Sequence, residues 1–299
     1  MTQTEYSDAN SYFRERFGSK VYKASISLKV TCPNRDGSKG SGGCLFCSEG
    51  GSGEFSASSL LPVKEQIDEA ILRVSRKIKG EARYIAYFQS FTNTYCDPDY
   101  LDASIIEAMN DDRICAVSIA TRPDCISKPI LDVLVRQNKV KPIMVELGLQ
   151  TIFDETAKWF NRCYETCVFD ETVSLLKSSG IEVIAHIIFG LKDETTEMML
   201  RTVKHVADLH VDGVKFTCLY VLKGTGLEKE WKEGKIDILT RDGYFDIVEE
   251  ALKILPPDVI VHRLTGDGPK SLLIEPSWTK DKRSVVNYIN GRFKVRRRS

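Results

Sequence analysis

No stretch of this sequence approaches the ~20 consecutive apolar residues that cross a bilayer as a helix, so a helical membrane span is excluded. A surplus of either charge is missing too. Lys and Arg number 42 and Asp and Glu also 42, which leaves no global positive field to gather nucleic acid. Internal repeats are absent, excluding a solenoid or propeller, and the only segment of low complexity is the glycine-rich stretch from Gly40 to Gly53. The polar start, Met1 to Asn10, offers neither an apolar signal core nor a basic n-region. The nine cysteines form no regular framework and are odd in number, which argues against a disulfide scaffold, and a reducing, cytoplasmic setting is expected. With 299 residues and 42% hydrophobic content, the chain can bury roughly three quarters of its unfolded surface, enough for one large domain.

What the chain does hold is a compact group of three cysteines. Cys32, Cys44 and Cys47 lie in TCPNRDGSKGSGGCLFC. An iron–sulfur cluster kept for electron transfer normally takes four Cys ligands, whereas three thiolates on a four-iron cluster leave one iron open to bind and activate another molecule. Pro33 to Gly43 are turn formers without apolar periodicity, and read as a loop wrapped around a bulky anionic group. The run before it, Tyr22–Val30, alternates as a strand does. A zinc knuckle, a disulfide pair and buried structural cysteines are the alternatives. Zinc needs a fourth nitrogen or sulfur ligand, and no histidine lies nearer than His186. Cys96, Cys115, Cys125, Cys163, Cys167 and Cys218 are scattered and read as small buried hydrophobes, although Cys163 and Cys167 could share a helix face.

Beyond this loop the chain alternates helical apolar patterns with short β-branched runs, the pattern of a parallel sheet with helices packed on it. Helices are predicted over Pro62–Lys79, Asp99–Asn110, Lys128–Asn138, Cys167–Ser179, Thr195–Leu209 and Thr240–Leu255. Strands are predicted over Arg83–Gln89, Ala116–Thr121, Met144–Gln150, Glu182–Phe189, Gly213–Val221 and Val259–Leu264. Parallel βα units place functional groups at the C-terminal ends of strands.

The C-x11-C-x2-C spacing, with Phe46 before the last Cys, set after the first strand of an α/β chain, resembles the radical S-adenosylmethionine (radical SAM) enzymes. With TCPNRDG before it and HRLTGDGP near the end, it is most similar to a subfamily related to oxygen-independent coproporphyrinogen oxidases and elongator-type enzymes. The resemblance runs from about Tyr22 to Ile289. It implies an incomplete (β/α)6 TIM-like barrel of the radical SAM type, core about 22–222, with a short C-terminal extension, about 223–299. It implies a [4Fe–4S] cluster on Cys32, Cys44 and Cys47, S-adenosylmethionine chelated at the open iron, and one-electron cleavage to a 5′-deoxyadenosyl radical that abstracts hydrogen from substrate.

The same resemblance assigns cofactor contacts by position. Gln89, Ser90 and Thr92 stand where the family carries a glycine-rich acidic motif for the amino group. Gln150 and Arg162 stand at the spacing of the Gln and Arg that meet the ribose and the carboxylate; without the family, Arg162 reads as an exposed helix residue. His186 occupies a ribose-contacting position, although a histidine on a buried strand is ordinarily structural. Gly190 and Leu191 form a turn open to the adenine, and Tyr220 ends the next strand beside it.

Substrate contacts are predicted for Tyr22, Arg35, Tyr87, Thr121, Arg122, His262, Arg263 and Asp267, at strand ends or beside the cysteine loop. The reading favours a free small molecule, with a flavodoxin- or ferredoxin-type reductant and no stable nucleic-acid binding. The basic ending Arg292–Arg298 reads as a solvated or frayed tail. A narrower resemblance is to the queuine lyases, salvage enzymes acting on a modified 7-deazaguanine base. The alternatives are a tRNA- or protein-modifying radical enzyme and a non-enzymatic metal scaffold.

Overall fold

The computed structural model describes residues 3–51, 53, 56–75, 78, 80–266 and 268–296. The chain opens with a short strand, β1 (Thr4–Tyr6), and a helix, α1 (Ala9–Phe17). Asp8 caps α1 by accepting from the amides of Asn10 and Ser11, and Gly18 ends it at φ 69°, a conformation that costs glycine nothing. Six βα units then follow from β2 (Lys20–Ile26) through α2 (Val63–Ser75), β3 (Ala82–Phe88), α3 (Pro98–Met109), β4 (Ile114–Thr121), α4 (Lys128–Asn138) and β5 (Ile143–Gln150). They continue through α5 (Asp154–Trp159), α6 (Thr166–Ser178), β6 (Glu182–Phe189), α7 (Thr196–Asp208) and β7 (Gly213–Cys218). The remainder is β8 (Val221–Leu222), α8 (Gly226–Lys232), α9 (Arg241–Ile254), β9 (Ile260–Arg263), β10 (Leu273–Glu275), α10 (Lys282–Arg292) and β11 (Phe293–Val295).

Seven strands form one parallel sheet in the order β2-β3-β4-β5-β6-β7-β9. The sheet is curled. A flat sheet would hold β2 and β5 about 14 Å apart, yet Lys23 on β2 meets Glu146 on β5 at 2.6 Å. This is the partial TIM-like barrel of the predicted fold class, with β9 as a seventh strand beside β7. The helix-facing sides of the strands and the helices around them bury one continuous apolar core, from Ile26 and Phe88 to Phe216 and Phe245.

The open side of the curl lies between the edge strands β2 and β9. Helix α1 packs on both, and Val261 donates its amide to Ser7 at 2.8 Å. Inside, the lowest level is apolar: Val21, Ile85, Ala116, Met144 and Ile184 point inward from successive strands, and Phe13 of α1 plugs them.

Several boundaries differ from the predicted ones. The first strand stops at Ile26 rather than Val30, and the strand predicted over Gly213–Val221 breaks after Cys218. There Val221–Leu222 leaves the sheet to pair antiparallel with β10. Of the first predicted helix, Arg76, Lys77 and Lys79 lie outside the described residues. The predicted basic tail is structured as far as residue 296: Arg292 closes α10 with ion pairs to Asp246 and Glu249, and β11 pairs parallel with β1. Cys163 precedes α6 and Cys167 lies within it, so they share no helix face. No helix among the described residues is long and apolar enough to cross a membrane.

Candidate active site

One level above the apolar plug, side chains from all seven strands form a polar layer. Its centre is Glu146, in the middle of β5 and 1% exposed. Burying a carboxylate costs several kcal/mol unless it is fully partnered, and here both oxygens are. Oε1 accepts from Lys23 Nζ at 2.6 Å and Ser118 Oγ at 2.7 Å. Oε2 accepts from Lys215 Nζ and from His186 Nε2 at 2.9 Å, so that imidazole nitrogen carries the proton. Burial disfavours the charge on Glu146, but Lys215, Lys23 and His186 outweigh it and hold the carboxyl well below its usual range. Burial, helped by the repulsion of Lys23 and Arg263 and opposed by Glu146, holds Lys215 well below an ordinary lysine. Burial and then Lys215 press His186 down to about 4.

Tyr87 of β3 completes the ring, with its face 4.1 Å from Lys23 Nζ and 4.6 Å from Lys215 Nζ, an arrangement favourable to both cations. On β9, His262 lies edge-on to Phe13 at 5.6 Å, and its buried Nδ1 has no partner among the described residues. Its ring crosses Gly213 so closely that a Cβ there would stand 2.6 Å from it. A cleft of about 410 Å³ opens between the edge strands, lined by Lys23, His262, Arg263, Asn10, Phe13 and Val21 among others.

The cysteine loop sits on the C-terminal rim of this lumen, because β2 delivers it there and neighbouring strand ends hold it. Thr92 donates its amide to Thr31 O at 3.3 Å, and Leu45 donates to Phe160 O at 3.1 Å. Asn34 is fully buried and donates from Nδ2 to Asn161 O at 2.6 Å and Arg162 O at 3.2 Å. Cys32, Cys44 and Cys47 are all free thiols of intermediate exposure. Burial pushes the Cys44 thiol up to about 12, and the neighbouring Cys47 and Cys32 add to it. Thiols that resist ionising through burial and mutual proximity are ones that a metal's positive charge would release. Among the described residues no three His, Cys, Asp or Glu converge within reach of one metal ion. Ligands to a polynuclear cluster bind different irons and need no common point.

The rim is also where backbone strain collects. Phe91 and Asp193 hold positive φ in the loops after β3 and β6, Gln150 does so as the last residue of β5, and Asn161 and Cys163 in the turn between α5 and α6. Non-glycine residues persist there only when their surroundings over-determine them, commonly at functional sites.

The predicted site residues divide into three groups. Tyr87, His186, His262 and Arg263 do converge, in the lumen. Phe46, Gln89, Gln150, Gly190, Leu191 and Tyr220 line or approach the rim. Phe46 packs on Phe160 at 5.2 Å in an apolar cluster that includes Leu191, Gly190 takes φ 88°, and the Gln150 amide folds back over Gly148. The Tyr220 hydroxyl is buried beside the Cys218 thiol.

The third group is committed to the fold. Arg162 is 1% exposed and spends its guanidinium on the carbonyls of Leu149, Thr151 and Tyr164, on Asp154 and on Thr166. That corrects the reading of it as an exposed helix residue: it staples the end of β5 to the turn before α6. Arg122 likewise grips Asp124 through two 2.9 Å bonds. Arg35 braces the cysteine loop through the carbonyls of Cys47 and Ser48. Thr121 bonds Thr94 at 2.6 Å, and Ser90 bonds Ser27. Thr92 is buried beside the loop it tethers. Tyr22, on the opposite face of β2 from Lys23, packs against Tyr84 on the helix side. Asp267 lies outside the described residues.

Reading strand ends alone missed Lys23, Ser118, Glu146 and Lys215. The available signal was an inward-phase polar or ionisable residue with apolar neighbours on both sides, Ser118 in β4, Glu146 in β5 and Lys215 in β7; β2, with Lys20, Lys23 and Ser25, offers no such contrast.

The radical SAM superfamily model matches residues 32–206, and the radical SAM C-terminal domain model matches residues 211–294. The chain belongs to the radical SAM superfamily. The uncharacterized protein YtqA of Bacillus subtilis (strain 168) is 42% identical over 289 residues, 97% of this chain and 89% of that one. A tRNA uridine(34) acetyltransferase of Methanocaldococcus jannaschii is 30% identical over 205 residues, 65% of this chain and 37% of that protein. Among solved structures, the archaeal Methanocaldococcus infernus Elp3 has the same fold, with a TM-score of 0.69 over 91% of this chain and 63% of its own at 20% identity.

Proposed function

We propose that Cys32, Cys44 and Cys47 hold a [4Fe–4S] cluster at the rim and that the enzyme directs radical chemistry at a small molecule bound in the lumen beneath it. The observation that carries this is the placement of three free thiols, without a common focus for one ion, directly on the C-terminal rim of a polar lumen. With its cluster and S-adenosylmethionine bound, such a site supplies one-electron cleavage to a 5′-deoxyadenosyl radical, fed by a flavodoxin- or ferredoxin-type reductant. The residues of the chain do the rest. Phe46, Leu191 and Phe160 present an apolar wall that excludes water. Gln150, held at φ 65°, and the glycine turn at Gly190 offer polar and backbone contacts to the cofactor. Arg162, Arg35 and Asn34 keep the surrounding turns in place.

A second reading, action on tRNA, is favoured by similarity to the tRNA uridine(34) acetyltransferase. The narrower reading as a queuine lyase draws no support from the relatives described above.

Anaerobic reconstitution tests the first proposal. The wild-type chain is expected to take up about four irons and cleave S-adenosylmethionine under reduction, and Cys44→Ser to lose both. Tightly held zinc without iron, or full iron retention by the Cys32→Ser, Cys44→Ser, Cys47→Ser triple variant, would refute it.

A further inference from the structure

The polar layer has more cations than its single carboxylate can satisfy. Lys23, Lys215 and Arg263 share one buried carboxylate, Glu146, whose four acceptor positions are already filled by Lys23, Ser118, His186 and Lys215; the other carboxylate at the cleft, Asp8, accepts from the amides of Asn10 and Ser11 at the start of α1. Arg263 is exposed, makes no described ion pair, and donates one hydrogen bond, to Thr217 Oγ1 at 2.6 Å. Lys23 has one hydrogen-bond partner for its three donors. His262 stands on the same side, its Nδ1 buried and without a partner among the described residues. These three open onto one cleft of about 410 Å³, within the ~300–1,000 Å³ of small-molecule sites.

We propose that this cleft is a receptor for an anionic small molecule, whose carboxylate or phosphate group sits between Lys23, His262 and Arg263. Glu146 serves as the fixed counter-charge that orients the two lysines. Lys23 and Arg263 keep free donors at the cleft, so an anion bound there gains two charge-assisted contacts without first displacing a carboxylate from those donors. His262, which burial and then Lys23 and Lys215 keep neutral, lines the cleft beside the two cations. The proposal rests on the lumen being the substrate site, and names the class of substrate that enters it.

Calorimetric titration of the anaerobically reconstituted enzyme tests it, with excess S-adenosylmethionine present to fill its own site. The probes are inorganic phosphate, sulfate and succinate at low ionic strength. Saturable binding of at least one is expected, weakened about tenfold, or about 1.4 kcal/mol, by Arg263→Gln. Arg263 is the informative position because its loss strands no buried carboxylate; circular dichroism confirms that the variant folds. Lys204→Gln, which removes one charge from the outer face of α7, is expected to bind as wild type does. Binding of phosphate and sulfate alone would identify a phosphate group, and of succinate alone a carboxylate. No saturable binding of any probe would overturn the proposal, as would equal affinity in Arg263→Gln or an equal loss in Lys204→Gln. Iron content and cofactor cleavage of the wild type are read separately. An enzyme that cleaves S-adenosylmethionine but ignores all three anions fails this proposal alone, and one that binds anions but takes no iron fails the cluster proposal alone.

Discussion

Glu146 shows why single residues at this site were hard to read. In IMVELGLQ it interrupts an apolar strand, and in isolation that looks like a solvated edge or a polar defect. Only the curl of the sheet makes it a centre, because its partners come from β2, β4, β6 and β7. The same curl sets a pH response through His186. Its folded pKa of about 4 lies below the ordinary value of 6.5, from burial first and Lys215 second. Between those values the unfolded chain binds a proton that the folded chain refuses. This contribution to stability is therefore complete above about pH 6.5 and lost as pH falls toward about 4, by up to about 3 kcal/mol. His186→Gln keeps a donor for Glu146 and removes the titration. Urea midpoints are expected to fall less steeply with acid in the variant than in wild type; parallel curves from about pH 7 to about pH 4 would show that His186 protonates freely in the fold.

At the scale of elements, the long periodic segments were legible and the short ones were not. Helices α3, α4, α6 and α7 and strands β3 to β6 fall within two residues of their predicted bounds, because apolar periodicity and caps such as Asp97–Pro98 and Thr195 mark them locally. Helix α1 escaped because ANSYFRERF carries one buried residue, Phe13, and its structural role depends on two strands more than 200 residues apart in the chain, β2 and β9. The three cysteines stand out in the sequence by their spacing and the turn formers between them, whereas the commitment of Arg162 to carbonyls depended on a turn geometry that the sequence does not display. Phe13 both plugs the lumen and supports His262. Phe13→Ala is expected to cost about 3–5 kcal/mol in denaturant unfolding, and Phe13→Leu well under half of that. Equal small losses in both would mean that α1 merely covers the opening and does not pack into it.

The whole molecule sets the choice between a small substrate and a macromolecular one. Its charges balance at 42 against 42, and many of them neutralise each other locally, as Arg292 does with Asp246 and Glu249 and Lys294 with Glu5. The cations of the proposed receptor line a cleft that opens between the edge strands of the curled sheet, whose depth a duplex does not reach without extruding a nucleotide. Electrostatic affinity for RNA grows with the number of phosphates neutralised at the surface, and so does its salt dependence. A lumen receptor engages one or two anionic groups. Bulk tRNA is therefore expected to bind only in the nonspecific range, weaker than about 1 μM at physiological salt, with a shallow dependence on salt concentration. Filter binding across a salt series measures both quantities. Nanomolar retention with a steep slope would move the substrate out of the small-molecule class and make the lumen cations a pocket for one flipped nucleotide and its phosphate.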